Sequence, residues 1–218
     1  MLTTVALARD LIQYAYHENM PACLISIDQE KAFDRVSWSF LHKTLKAFGY
    51  GPKLTSTIRM IYNGISSRVK VNGYLSTPFL LSRGVRQGCP LSMLLYCLLS
   101  EVFANHISLH TEIKGICFPK ADGEKWTVKI CQFADDTYFF LRGDDSIARL
   151  QQELSLLQRV TGAKINADKC KGLWLGSYRH RTDCPLNYQW GRETINVLGV
   201  YLPNTFRRDL GSKFRSRV

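Results

Sequence analysis

A chain of 218 residues with 45% hydrophobic and 11% aromatic residues, Gly 15 and Pro 7, is too apolar for a disordered polymer and too poor in glycine and proline for a collagen-like or elastic repeat. Its Lys+Arg 29 against Asp+Glu 18 leave a formal net charge of +11, which favours a polyanionic partner, a plain solvated basic surface being the alternative. Seven cysteines, scattered and without a Cys-x-x-Cys pair, read as reduced core thiols; with no basic-then-apolar leader in MLTTVALARDLIQYA, we expect a nuclear or cytoplasmic protein of one domain or two small ones.

In chain order, Thr4 to Asn19 places Leu7, Leu11 and Tyr14 at helical spacing and stops before Pro21. Cys23-Leu24-Ile25-Ser26-Ile27 is apolar on both faces, as a central strand is, and Asp28 sits at its C-terminal end. Ser37 then caps a helix marked by Trp38, Leu41, Leu45 and Phe48 and closed by Gly49, and Pro52 opens another with Leu54, Ile58 and Ile61 on one stripe. Asn72-Gly73 between strand formers predicts a hairpin from Arg68 to Phe79, because that pair supplies the positive φ angles of a type I′ turn.

The polar run Arg83 to Pro90 leads into an apolar helix from Leu91 to Leu109. Its most apolar stretch, Leu91 to Ala104, is short and holds Glu101, which suits a buried helix better than a membrane span, so no membrane partner is expected. A second hairpin is predicted over Val128 to Leu141, interrupted at Ala134-Asp135-Asp136. Asp144 or Asp145 then caps a helix carrying Ile147, Leu150, Leu154 and Leu157 and ending at Gly162. Strands are predicted at Gly172 to Leu175 and Val197 to Leu202, and the remainder, 203–218, is expected to be a basic tail. Helices mixed with hairpin-joined strands predict an α+β fold, an antiparallel sheet covered by helices.

Adjacent aspartates at a turn are ordinary turn residues. Here a third carboxylate, Asp28, ends a buried strand, and adjacent central strands would bring Asp28, Asp135 and Asp136 together. Crowded carboxylates repel one another unless cations neutralise them. Oxygen-only ligands suit Mg²⁺ or Mn²⁺, and two such ions can activate an attacking hydroxyl and stabilise a leaving phosphate oxygen. Phosphoryl transfer then needs little beyond positioning and charge, and a basic surface makes nucleic acid plus nucleotide the natural substrate.

Three segments carry a resemblance: Ser26-Ile27-Asp28-Gln29-Glu30-Lys31-Ala32-Phe33-Asp34-Arg35-Val36, Arg83-Gly84-Val85-Arg86-Gln87-Gly88-Cys89-Pro90-Leu91-Ser92, and Phe133-Ala134-Asp135-Asp136. In order and spacing they resemble motifs of non-LTR (LINE-type) retrotransposon reverse transcriptases. Thr161 to Lys169 and Val197 to Leu202 extend the match, so it covers residues 1–202, a reverse transcriptase domain of polymerase palm with partial fingers. The resemblance implies RNA-directed DNA synthesis from an RNA template, a DNA primer and dNTP, with Asp28, Asp135 and Asp136 as catalytic carboxylates binding two Mg²⁺ or Mn²⁺ ions. The Gln29 carbonyl is a further contact to metal or nucleotide.

It further implies that Phe33 is a steric gate selecting deoxynucleotides, an ordinary core phenylalanine being the other reading. Gln87 and Gly88 lie against nucleotide and template, glycine allowing close backbone approach. Arg83 and Arg86 pair with nucleic-acid phosphates or are solvated charges. Lys169 matches a lysine that donates a proton to pyrophosphate, a surface lysine near a turn being the other reading, and Val197 to Leu202 matches the primer-grip hairpin, a plain edge hairpin being its alternative. Met93 stands where the family commonly has proline.

We expect a palm-centred piece: the chain begins just before the first catalytic motif, so the resemblance supplies no full fingers region, and the 16 residues after 202 (218 − 202) hold no complete thumb, endonuclease or ribonuclease H module. The rival reading, from another class, is a domesticated or relic module that binds nucleic acid without turnover. His106 and His110, four apart on a helix, lack a third ligand nearby in sequence, which argues against zinc.

Overall fold

The computed structural model describes residues 2–119 and 123–205. Its elements are helix α1 (Leu2–His17), strand β1 (Ala22–Ile27), helices α2 (Trp38–Ala47) and α3 (Pro52–Tyr62), then the short strands β2 (Ser66–Ser67), β3 (Lys70–Val71), β4 (Tyr74–Leu75) and β5 (Phe79–Leu80). Helix α4 (Pro90–Leu109) precedes strands β6 (Ile116–Pro119), β7 (Lys125–Val128), β8 (Ile130–Phe133) and β9 (Asp136–Arg142), which are followed by helix α5 (Asp144–Thr161) and strand β10 (Lys171–Leu175). After two 3-10 turns come β11 (Gln189–Gly191), β12 (Thr194–Val197) and β13 (Val200–Pro203). This is the α+β mixture expected.

Two units emerge from the contacts. Unit 1 comprises the chain up to Glu30, Ala104–Ser155 and the chain from Ile165 onward. Its sheet has the order β11-β10-β1-β9-β8. Strand β1 is central and antiparallel to both β9 and β10. One edge departs from expectation: β11 runs parallel to β10, and the intervening 3-10 turns supply the crossover that a parallel pair requires.

Leu24, Phe140, Leu173 and Leu175 share a core with Ala8, Leu11, Ile12 and Ala15 of α1 and with Ile195, Val197 and Leu202. The alternate residues Cys23, Ile25, Phe139 and Leu141 are buried as well, which is why β1 is a continuous apolar run. The buried face of α1 is rotated from the expected Leu7, Leu11, Tyr14 stripe. Ala8 and Ala15 are fully covered while Leu7 and Tyr14 flank them, because the small residues let the helix lie close. The predicted strand at Val197 to Leu202 instead turns at Leu198 (φ +51) and Gly199 (φ +86), separating β12 from β13. Ordered structure continues to Asn204, which is buried and bonded to Glu193 and Arg192; of the expected basic tail, 206–218 lie outside the described residues.

Unit 2 comprises Lys31–Phe103 and Leu156–Lys164, around a core of Val36, Leu41, Leu45, Ile58, Tyr62, Val85, Leu95 and Tyr96. The Ser37 hydroxyl accepts the Phe40 N–H at 3.3 Å, the predicted cap of α2. Helix α3 buries Thr55, Ile58 and Tyr62 rather than Leu54, Ile58 and Ile61. Thr55 tolerates burial because its hydroxyl donates to the Gly51 carbonyl at 3.1 Å, and Tyr62 packs its ring against Trp38. Helix α4 is only partly buried. Leu95, Tyr96, Phe103 and Ile107 are covered, Met93, Leu94 and Leu109 are exposed, and by length and composition alone its 20 residues could cross a membrane. The cysteines are all free, yet only Cys23 and Cys170 are buried, so most are not core thiols.

Candidate active site

Asp28 follows the last residue of β1, and its main chain is held on both sides. Its N–H donates to the Cys170 sulfur at 3.4 Å, and its carbonyl accepts the Asn166 N–H at 2.9 Å. The next residue, Gln29, forms an antiparallel bridge with Ile165. Across the sheet, Ile27 pairs with Thr137, so the register carried one step further sets Asp28 opposite Asp136. Asp136 opens β9 and pairs with Phe133, which leaves Ala134 and the exposed Asp135 as the hairpin tip. Ala134 has φ +54, the left-handed conformation that a tight hairpin asks of a turn residue and that alanine adopts only under strain.

The electrostatics agree with this placement. Partial burial pushes the Asp136 carboxyl above the usual carboxylate range, and the negative charges of Asp135 and then Asp28 push it further. Asp135 and Asp28 thus both bring their charge to bear on Asp136. Among the described residues no group of three or more His, Cys, Asp or Glu side chains stands together closely enough to hold a metal ion.

Lys169 is exposed on the turn that tethers Asp28, its N–H donating to the Asn166 carbonyl at 3.1 Å. Sequence reasoning passed over the two residues that do the tethering. Cys170 counted only as a core thiol, and its distance from Asp28 in sequence hid the contact. Burial raises its thiol to about 11, so it accepts the Asp28 N–H as a neutral sulfur. The Tyr138 hydroxyl accepts the Leu198 N–H at 3.2 Å, tying the primer-grip-like turn to β9. Burial, then the charge of Asp136, raises that phenol to about 12.

Phe33, Arg83, Arg86, Gln87 and Gly88 belong to unit 2. The Phe33 ring is half-buried and stacked on Tyr96, with centroids 4.7 Å apart and an interplanar angle of 16°, so one of its faces is already covered. The Phe33 and Val36 carbonyls accept the N–H groups of Val85 and Gly84, each at 2.8 Å, while the Trp38 indole donates to the Gly84 carbonyl at 2.7 Å. Gly84 has φ +93, and a Cβ there would lie 2.9 Å from the Asp34 carbonyl oxygen. Within this loop the close backbone approach therefore belongs to Gly84, which the sequence reading did not single out, rather than to Gly88. Gly88 has φ +78 and open space around it, and Arg83, Arg86 and Gln87 are exposed. His106 and His110 are directed at the buried Glu153, at 2.6 and 3.3 Å.

A family model described as reverse transcriptase (RNA-dependent DNA polymerase) matches residues 4–202. The chain is 34% identical over 200 residues to a Xenopus laevis protein named Transposon TX1 uncharacterized 149 kDa protein, covering 91% of this chain and 15% of that protein. It is 30% identical over 211 residues to the RNA-directed DNA polymerase from mobile element jockey of Drosophila melanogaster, covering 88% of this chain and 21% of that one. Among solved structures, telomerase from Candida tropicalis in complex with a TWJ fragment of telomeric RNA superposes with a TM-score of 0.61 at 15% identity, covering 99% of this chain and 34% of that one. That likeness bears on the fold, which is palm-like.

Proposed function

Because the chain belongs to the reverse transcriptase (RNA-dependent DNA polymerase) family, in its non-LTR retrotransposon branch, we propose that it carries the catalytic centre of RNA-templated DNA synthesis. In that reaction a primer 3′-hydroxyl attacks the α-phosphate of a deoxynucleoside triphosphate; the new P–O bond forms in line as the bond to pyrophosphate breaks. The chain spans about a fifth or less of the curated relatives named above, so primer, template and nucleotide are proposals for this chain.

The single observation that supports the reading is the convergence of Asp28 with Asp135 and Asp136 at adjoining strand ends. An all-oxygen set in which burial and two neighbouring carboxylates raise the proton affinity of Asp136 is chemically suited to hard divalent cations. Asp28, Asp135 and Asp136, with the Gln29 carbonyl, would hold two Mg²⁺ or Mn²⁺ ions, which when bound supply charge neutralisation and acidify the primer hydroxyl. The tether through Cys170 and Asn166 fixes where Asp28 stands, and Lys169 on the same turn is the group we assign to protonating pyrophosphate. Gln87 and Gly88 on their exposed loop, and Phe33 with its stacked ring, carry the nucleotide roles in this reading; Arg83 and Arg86 carry the phosphate roles.

Primer extension on an RNA template with labelled deoxynucleotide, in Mg²⁺ or Mn²⁺, tests it. Asp135→Asn combined with Asp136→Asn should lower incorporation by at least about 10³-fold while leaving nucleic-acid affinity in place. Unchanged incorporation in that variant would refute the assignment, and metal-indifferent binding without any turnover would favour a module that only holds nucleic acid.

A further inference from the structure

A two-stranded ribbon with nothing packed on either face is marginal in water. Residues 65–81 form such an arm beyond its base, where Ile65 packs against the core of unit 2 and Ser67 is half-buried. The Leu81 N–H donates to the Ile65 carbonyl at 3.0 Å and the Ser76 N–H to the Val69 carbonyl at 2.9 Å; Lys70 pairs with Leu75, Val71 with Tyr74, and Asn72 and Gly73 close the tip with positive φ. Every residue from 68 to 83 is exposed. Tyr74 at 83%, Leu80 at 76% and Val71 at 61% are large apolar groups standing in solvent. Strand alternation puts Arg68, Lys70 and Leu75 on one face and Val69, Val71 and Tyr74 on the other.

Charge decides what fits this arm. No Asp or Glu occurs between Ile65 and Arg86, whereas Arg68, Lys70, Arg83 and Arg86 do. Unit 2 as a whole holds twelve Lys and Arg against two Asp and Glu, so ten of the chain's formal +11 reside there. Two other cations, by contrast, are committed: Arg149 to Glu112 and Glu153, and Arg181 to Asp144 and Asp183. Among the described residues Arg68 and Lys70 make no ion pair. An acidic protein face would suit the cations but would leave the bare tyrosine ring without a stacking partner. A strand of nucleic acid offers both phosphates and flat bases, and its base faces are open only when it is single-stranded.

We infer that the arm of residues 65–81 is a holding site for single-stranded nucleic acid that passes over the ribbon's edge, with Arg68 and Lys70 against phosphates on one face and Tyr74 as a base-stacking platform on the other. This site is separate from the carboxylates and needs no metal or nucleotide.

The full chain, in EDTA and without nucleotide, is titrated into a fluorescein-labelled oligouridylate and into a duplex of the same length. Arg68→Ala with Lys70→Ala should weaken single-strand binding about tenfold and flatten the slope of log affinity against log salt by about 1.4. Tyr74→Ala should weaken it roughly 5- to 100-fold at unchanged slope, and Tyr74→Phe should restore it. All three positions are solvent-exposed, and unaltered thermal unfolding checks that the variants are folded. Carrying Asp135→Asn and Asp136→Asn in the background should leave the fold-losses of the arm variants as they are, so this result and the polymerase result fail independently. Affinity untouched by the arm variants overturns the inference. So does tighter duplex binding with the same losses, or a Tyr74→Ala change that dissolves a self-associated form in sedimentation while oligonucleotide binding persists.

Discussion

Two hairpins in this molecule begin from the same local parts and end in opposite circumstances. The β8–β9 hairpin turns through Ala134-Asp135 and continues into a strand whose residues Thr137 to Leu141 are all buried against β1. The β3–β4 arm turns through the more favourable Asn72-Gly73, yet everything along it is exposed. The better turn sits on the less supported ribbon. What anchors a hairpin here is thus not its turn but the sheet that receives it, and the supported hairpin can hold a left-handed alanine beside Asp135 because the surrounding core outweighs that strain.

Mutations can break or sharpen this contrast. Phe140→Ala in β9 should cost about 3–5 kcal/mol in denaturant unfolding, since the ring is fully covered on the α1 side of the sheet; a loss under about 1 kcal/mol would contradict the role given to that core. Glu153→Gln should cost about 2 kcal/mol near neutral pH. Burial alone would raise that carboxyl, but the hydrogen bond and charge of His106, then Arg149 and His110, hold it below its ordinary 4.5. Its contribution is therefore complete above that value and lost as the pH falls through the lowered one, so the wild-type advantage over Gln should shrink on acidification, as unfolding across a pH series would reveal.

Ala134→Gly should stabilise by up to about 1 kcal/mol through release of the left-handed strain, read as a higher denaturant midpoint; a loss would mean that the tip conformation is supported by contacts of the methyl group. Leu75→Ser and Arg68→Ala in the arm should each stay within about 0.5 kcal/mol at every pH, and a larger stability change would show that the arm is packed after all.

Where the apolar period was strong and buried on both sides, as in β1 and β9, sequence and structure coincide, because no other environment accommodates such a run. The hairpin at Asn72-Gly73 and the cap at Ser37 were likewise readable, since each is decided within a few residues. The α1 and α3 faces were less so: side-chain size favoured Leu7 and Leu54, whereas close approach selected Ala8 and a self-satisfied Thr55. Of the candidate site, the three aspartates were legible as a set. Gly84, Cys170 and Asn166 were not, because each acts on main chain that is remote in sequence.

By itself the amino-acid order determined the five long helices and the central strands, that three acids lie at or beside strand ends, and the family to which the motifs point. Tertiary structure alone decided that Asp28 stands opposite Asp136, that β11 joins the sheet in parallel, and that the arm of residues 65–81 is left in solvent. The reason is physical: local propensity and periodicity act over a few residues, while register, burial and mutual charge depend on which distant segments the collapsed core brings side by side.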